Sequence, residues 1–276
     1  MISSIKDSTT LNNGIKMPWL GFGVFKISDG KEVEGAVGHA LKAGYRSIDT
    51  AAVYGNEIGV GKAIKESGFP RQDIFLTTKV WNGDQREGRT LEAFEESLAR
   101  LGTDYVDLYL VHWPVKDHYQ DTWRVMEQIY QSGRARAVGV SNFMIHHLED
   151  ILHACEVVPT VNQVEFHPYL VQPDLLKFCQ EHQIQVEAWS PLMKGQVVTE
   201  STIQALAEKY HKTPAQIVLR WDLQHGVVAI PKSSNPDRIV ENTQIFDFEL
   251  SEGDMETLDA LDQGKRTGPD PNNFSF

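Results

Sequence analysis

The sequence predicts an α/β fold, a (β/α)8 TIM barrel with an N-terminal β-hairpin. Three observations carry that expectation. Eight short apolar runs recur along the chain, segments with helical periodicity separate them, and glycines close several of those segments just before the next run. At 276 residues with 41% apolar content and no long linker, the chain can bury one large core, and residues 1–276 are read as a single domain.

The elements follow in order. Thr9 to Lys16 reads as the hairpin, with Asn13-Gly14 supplying the turn. The runs read as strands are 20–24, 45–50, 74–80, 105–113, 135–141, 161–166, 185–190 and 227–232. Segments such as 31–43, 91–101, 122–131 and 173–182 place apolar residues at helical spacing with polar residues opposite. Gly44, Gly68, Gly102 and Gly133 suit left-handed C-caps. A run as apolar as Val106-Asp107-Leu108-Tyr109-Leu110-Val111 is typical of parallel strands covered on both faces. The runner-up is an open doubly wound sheet, which would carry G-x-G-x-x-G after its first strand. Gly21-Phe22-Gly23 and Gly59-Val60-Gly61 both lack the third glycine, and there is no Walker-type phosphate loop.

Composition excludes several classes of function. With 26 basic and 38 acidic residues, a formal charge of -12 repels polyanions, so neither nucleic acid nor an anionic membrane is an expected partner. No segment offers the roughly 18 consecutive apolar residues that span a bilayer. The opening residues are polar, so a soluble, cytoplasmic protein is expected. Cys155 and Cys179 lie in amphipathic-helix patterns without metal-ligand spacing, which argues against a disulfide or a metal site.

In such barrels the chemistry sits at the C-terminal ends of the strands. Asp49 closes the second run, Tyr54 follows in its loop, Lys79 closes the third run and His112 closes the fourth. A tyrosine with its unperturbed pKa of about 10 is a weak acid at neutral pH, and a nearby ammonium would lower that value. Asp49 can hold Lys79 charged, and His112 can hydrogen-bond a carbonyl oxygen. Each residue also has a structural reading: Asp49 as a cap, Tyr54 as a packed aromatic, Lys79 as a snorkelling surface residue, and His112 as a strand-end histidine. Joint placement at three successive strand ends favours the chemical reading. His146-His147 opens the helical pattern 145–154 and is expected to face solvent, whereas His167-Pro168 is placed at the frame of a pocket, and neither receives a role.

These residues and their surroundings resemble the aldo-keto reductase family, most closely the bacterial-type reductases of glyoxals and diketo-sugar acids. The likeness extends over nearly the whole chain and rests on three motifs: Gly44-Tyr45-Arg46-Ser47-Ile48-Asp49-Thr50-Ala51 with Tyr54, Glu57 and Gly61; Val138-Gly139-Val140-Ser141-Asn142-Phe143; and Ile230-Pro231-Lys232-Ser233 with Arg238 and Asn242. The resemblance implies NADPH-dependent reduction of a small-molecule carbonyl by a monomer, with Tyr54 as proton donor, Lys79 and Asp49 tuning it, and His112 positioning the carbonyl.

It also implies a cofactor site. Nicotinamide would lie on Trp189, within Glu187-Ala188-Trp189-Ser190-Pro191-Leu192, beside Ser141, Asn142 and Gln163, with Gly23, Val24, Phe25 and Asp49 nearby. Lys232, Ser233, Ser234, Arg238, Glu241 and Asn242 would take the adenosine half. Two cations and a hydroxyl suit a 2'-phosphate better than a bare hydroxyl, hence NADPH. The substrate lining would be Phe25, Tyr54, Trp81, His112 and Trp113, with the tail after Lys265 closing over it, and because the tail from Gly264 is short the site is expected to be open. The rival readings are a Schiff-base aldolase on Lys79, a non-catalytic NADPH-binding barrel acting as a redox-sensing subunit, and a metal-dependent hydrolase. The last lacks paired H-x-H spacing.

Overall fold

The computed structural model describes residues 2–154 and 156–276. Cys155 therefore lies outside the described residues. Strands β1 (Ser8–Thr10) and β2 (Lys16–Pro18) pair antiparallel through Thr10↔Lys16. The turn between them is closed by Leu11 N to Ile15 O at 2.9 Å, with Gly14 at φ 85. That left-handed position is the reason a glycine stands there.

The main sheet runs β3 (Phe22–Gly23), β4 (Ser47–Asp49), β5 (Phe75–Val80), β6 (Val106–Val111), β7 (Ala135–Ser141), β8 (Val161–Glu165), β9 (Gln185–Trp189) and β10 (Val228–Ala229), each parallel to the next. Every one falls within an expected run. The barrel closes through the Leu20↔Ala229 bridge, with Gly21 N to Ala229 O at 2.9 Å and Ala229 N to Trp19 O at 3.1 Å. The first and last strands are shorter than their apolar runs because the seam cannot continue as a regular ladder: Pro231 has no N–H to donate. Gly21 and Gly23 serve this seam, since a Cβ on Gly21 would meet Ile230 Cγ2 and Ser47 Oγ at 2.9 Å.

Helices Lys31–Ala43, Thr90–Leu101, Tyr119–Gln131 and Pro173–Glu181 match the expected segments to within a few residues at their ends. Helices Glu57–Glu66, Ser201–Tyr210 and Pro214–Gln224 complete much of the outer layer. Gly44 (φ 107) and Gly102 (φ 63) are left-handed C-caps as expected. The expectation for His147 is corrected: it is buried, and its Nδ1 accepts from Met144 N at 3.1 Å, so it satisfies the start of helix Ile145–Ala154 while His146 alone faces solvent.

Strand alternation sorts the core into two bodies. Outward residues such as Ile48, Leu76, Tyr109, Val138 and Val186 pack against the helices. Inward residues Phe75, Leu108, Leu110, Ala137, Val161 and Val228 fill the lower barrel, and Leu11 and Met17 of the hairpin plug it from below. Toward the C-terminal end the inward positions turn polar, with Asp49, Lys79, Gln163 and Glu187 all buried.

Gly59-Val60-Gly61 makes a close helix contact. A Cβ on Gly61 would stand 2.0 Å from the Leu101 carbonyl oxygen. Alanine is the better helix former by about 1 kcal/mol, yet forcing rigid backbone apart costs about 1–3 kcal/mol or more, so the clash wins. Gly61→Ala should lower the denaturant midpoint despite improving helix propensity; an unchanged or higher midpoint would contradict this packing account.

Candidate active site

Four expected residues meet at the C-terminal mouth of the barrel. Asp49 ends β4, Lys79 is the penultimate residue of β5, His112 follows β6, and Tyr54 sits in the short 3-10 turn Ala52–Tyr54 after β4. The register pairs Asp49 with Thr77, so Lys79 stands two residues further on the same inward face and reaches back. Its Nζ donates to Asp49 Oδ1 at 2.7 Å, Asp49 Oδ2 at 2.8 Å and Thr50 O at 2.9 Å. All three ammonium protons are thereby engaged.

Electrostatics follow from burial and this pair. Burial pulls the Lys79 ammonium down, but the charges of Asp49 and Tyr54 outweigh it and hold the lysine above its ordinary value. For Tyr54 the expected direction is overturned: burial pushes the phenol up, and Lys79, whose Nζ lies 5.1 Å from the ring centre, opposes that rise without cancelling it. Desolvation is the larger effect because the half-buried ring packs between Phe25 at 4.9 Å and His112 at 5.7 Å between centroids. Burial, then the Lys79 charge, hold His112 well below the usual histidine range, so its imidazole is neutral at pH 7. A neutral imidazole and a phenol on one face can both donate to a single oxygen.

Beside this cluster lie Ser141, Asn142 and Gln163, all buried. Asn142 adopts φ 65, a left-handed conformation costly for most side chains, and is held there by its N–H to Gln163 O at 2.8 Å and its Nδ2 to His112 O at 3.0 Å. Its Oδ1 accepts from Trp189 Nε1 at 2.8 Å, which fixes the indole plane. Gly268 lies against that indole, where a Cβ would be 2.4 Å from Cη2. Ser190 also sits at positive φ, 54, turning the chain into Pro191 and Leu192.

The second cation-bearing segment is separate from the tetrad. Lys232 and Arg238 are exposed, and among the described residues neither makes an ion pair, while Ser233 and Asn242 are buried beside them. Ser234 is exposed on the same turn, and Asn235 caps the helix Pro236–Glu241 through Asp237 N and Arg238 N. Glu241 is partly committed already, accepting from Thr213 Oγ1 at 2.9 Å.

The aromatic wall is Phe25, Tyr54, Trp81, His112 and Trp113, with Val24 buried behind it and Gly23 at the barrel seam. Residues not singled out from sequence complete it. Phe276 stacks on Trp81 at 5.8 Å and 5°, and Phe274 tilts onto Trp113 at 5.1 Å. Asn82 Nδ2 and Arg86 Nη2 hold the Phe276 main-chain oxygen at 3.1 and 2.7 Å. The tail thus narrows a site expected to be open. It is anchored by Glu165, whose carboxylate accepts from Thr267 N at 2.6 Å, Gly268 N at 3.2 Å and His167 Nε2 at 3.0 Å. Two phenylalanines in a polar tail were the available sequence signal. Among the described residues no cluster of histidine, cysteine or carboxylate is arranged for a metal, and no helix is long and apolar enough to cross a membrane. Cys179 is buried, its thiol pushed up to about 12 by burial.

A closed parallel barrel with a phenol, a clamped lysine and a neutral histidine at its mouth matches a class of oxidoreductase. The chain belongs to the aldo/keto reductase family, whose signature spans residues 20–263 and whose members use a nicotinamide cofactor. It is 56% identical to the glyoxal reductase of Bacillus subtilis (strain 168) over 276 residues, all of both chains. It is 48% identical to methylglyoxal reductase DkgA of Escherichia coli (strain K12) over 268 residues, 96% of each. Among solved structures, an aspartate-to-alanine mutant of Gox0644 in complex with NADPH superposes with a TM-score of 0.92 at 43% identity, covering 98% of each chain.

Lys79→Met would leave Asp49 buried without its counter-charge, and breaking such a pair costs about 3–5 kcal/mol. Denaturant titration should show that loss, and adding Asp49→Asn should restore a large part of it. Equal stability of the single and double variants would remove the ion pair from this account.

Proposed function

We propose that this protein is an NADPH-dependent reductase that converts small aldehydes and ketones to alcohols, with Tyr54 as the proton donor. The observation that carries it is the clamped Lys79 beneath Tyr54 with a neutral His112 on the same face. That geometry offers a proton and a second hydrogen bond to one carbonyl oxygen. It disfavours a Schiff-base aldolase, because a lysine held charged by Asp49 is not a nucleophile.

The residues present fit the cofactor. Trp189 presents a fixed aromatic face for stacking, Ser141, Asn142 and Gln163 offer amide partners, and Lys232 and Arg238 are uncommitted cations suited to a phosphate. NADPH, when bound, supplies hydride to the carbonyl carbon. Tyr54 then protonates the developing alkoxide, Lys79 stabilises the phenolate left behind, Asp49 keeps Lys79 in place, and His112 orients the carbonyl oxygen. The aromatic wall suits small apolar or dicarbonyl substrates. The relatives named glyoxal and methylglyoxal reductase support α-dicarbonyls as the substrate class, and diketo-sugar acids are the alternative within the same chemistry. With this goes the reading of residues 1–276 as one domain and of the protein as a cytoplasmic monomer.

Tyr54→Phe should reduce kcat for methylglyoxal about 100-fold or more, the usual scale of general-acid catalysis, while NADPH still binds with unchanged Kd by fluorescence titration. Near wild-type turnover in that variant would refute Tyr54 as the acid. Removing either Lys232 or Arg238 by alanine should weaken NADPH about tenfold, as for a lost hydrogen bond to a charged group, and leave NADH almost untouched. Parallel losses for both coenzymes would instead point away from a 2'-phosphate site.

A further inference from the structure

One carboxylate in the barrel interior has no part in the mechanism so far. Glu187, on β9, is fully buried, and it pairs in register with Gln163 on β8. The Gln163 amide nitrogen donates to Glu187 Oε2 at 2.7 Å and to Asp49 Oδ2 at 2.8 Å. Both amide protons are therefore spent on carboxylates, which fixes the flip of the side chain and leaves its oxygen as the only atom free to receive a donor. Asp49, Gln163 and Glu187 form one continuous chain under the catalytic pair.

We propose that Glu187 is a positioning residue for the reduction, orienting the Gln163 amide while it holds a proton and weakening Tyr54 as an acid when it loses that proton. This rests on the function proposed above. Several features support it. Glu187 Oε1 is buried without a hydrogen-bond partner, the place where a neutral acid would carry its proton and where a bare carboxylate oxygen would be costly. Burial first, and then the negative charge of Asp49, push its carboxyl up to about 8, with Gln163 and Lys79 pulling the other way. The groups that face it are Asp49 from β4, Lys79 from β5, Gln163 from β8 and, beyond them, Tyr54, whose proton affinity rises with charge on Glu187. On its other side β10 contributes the apolar Val228.

The consequence is directional. Below about pH 8 the interior holds one carboxylate and one ammonium; above it, a second carboxylate appears and offsets the pull of Lys79 on the phenolate. Tyr54 then becomes the poorer acid, and reduction slows. Stability must follow the same titration. A carboxyl whose folded value is raised contributes stability that is fully present below its unfolded value and is lost as pH rises through about 8.

Glu187→Gln, which mimics the protonated acid, tests both readouts. Melting temperatures of wild type and variant are compared from pH 5.5 to 9.5, a measurement needing neither cofactor nor turnover, and the wild type should lose several degrees relative to the variant as pH rises. In steady-state reduction, wild-type kcat should fall several-fold across an alkaline break near pH 8, whereas the variant, within about threefold of wild type at pH 7, should run flat through that region. Glu187→Asp keeps a carboxyl and should keep a break. A constant melting difference across pH overturns the proposal. So does an unchanged break in the Gln variant, or a break lost from both variants. Because the melting comparison does not involve catalysis, a failure of the reductase reading, seen as an active Tyr54→Phe, is distinguishable from a failure of this one.

Discussion

The buried contact between Lys79 and Asp49 constrains the rest of the site. Taking two charges out of water is expensive, and their mutual attraction offsets that cost only when every remaining donor and acceptor is satisfied. Here the ammonium uses three acceptors and the carboxylate takes a further donor from Gln163. Such a pair tolerates little displacement. The strands that carry it must keep their register, the loop carrying Tyr54 must return over the lysine, and Gln163 must present its nitrogen inward.

The barrel divides its interior so that this is possible. Its lower half is a dry plug, with Leu11 and Met17 from the hairpin meeting Phe75, Leu108 and Val161. Polar side chains are confined to the upper half, where they complete one another. Thus the hairpin closes the end of the barrel opposite the polar cluster and gives the strands their apolar footing. The glycines at 21 and 139 serve the same end, allowing strands and loops to approach where a Cβ would collide with backbone or neighbouring side chains, and at Gly23 a Cβ would press on the Ile230 carbonyl oxygen at 3.1 Å.

Above the polar layer the walls are aromatic and are partly built by the tail. Trp81 and Trp113 come from strand ends, whereas Phe274 and Phe276 arrive from the far end of the chain and are fixed by Asn82 and Arg86. Glu165 gathers the same tail through Thr267 and Gly268, laying it along Trp189. The face proposed for the nicotinamide and the wall proposed for a substrate are therefore both contacted by one segment, residues 265–276.

The eight runs, several of their helical partners, the hairpin turn at Gly14 and the strand-end positions of Asp49, Lys79 and His112 were legible in the sequence, because periodicity and chain order are local properties and a parallel barrel places strand ends together. Tyr54 was legible only through its nearness to Asp49 and the family motif. What tertiary structure decided was everything that depends on who is buried beside whom. Burial outweighs the Lys79 charge at Tyr54, His147 turns inward rather than to solvent, Glu187 stands against Gln163, and a short tail expected to leave the site open narrows it with two phenyl rings. Desolvation and tertiary packing have no signature in spacing, since both are set by neighbours that only the closed barrel brings into contact, from Phe25 against Tyr54 to Phe276 against Trp81.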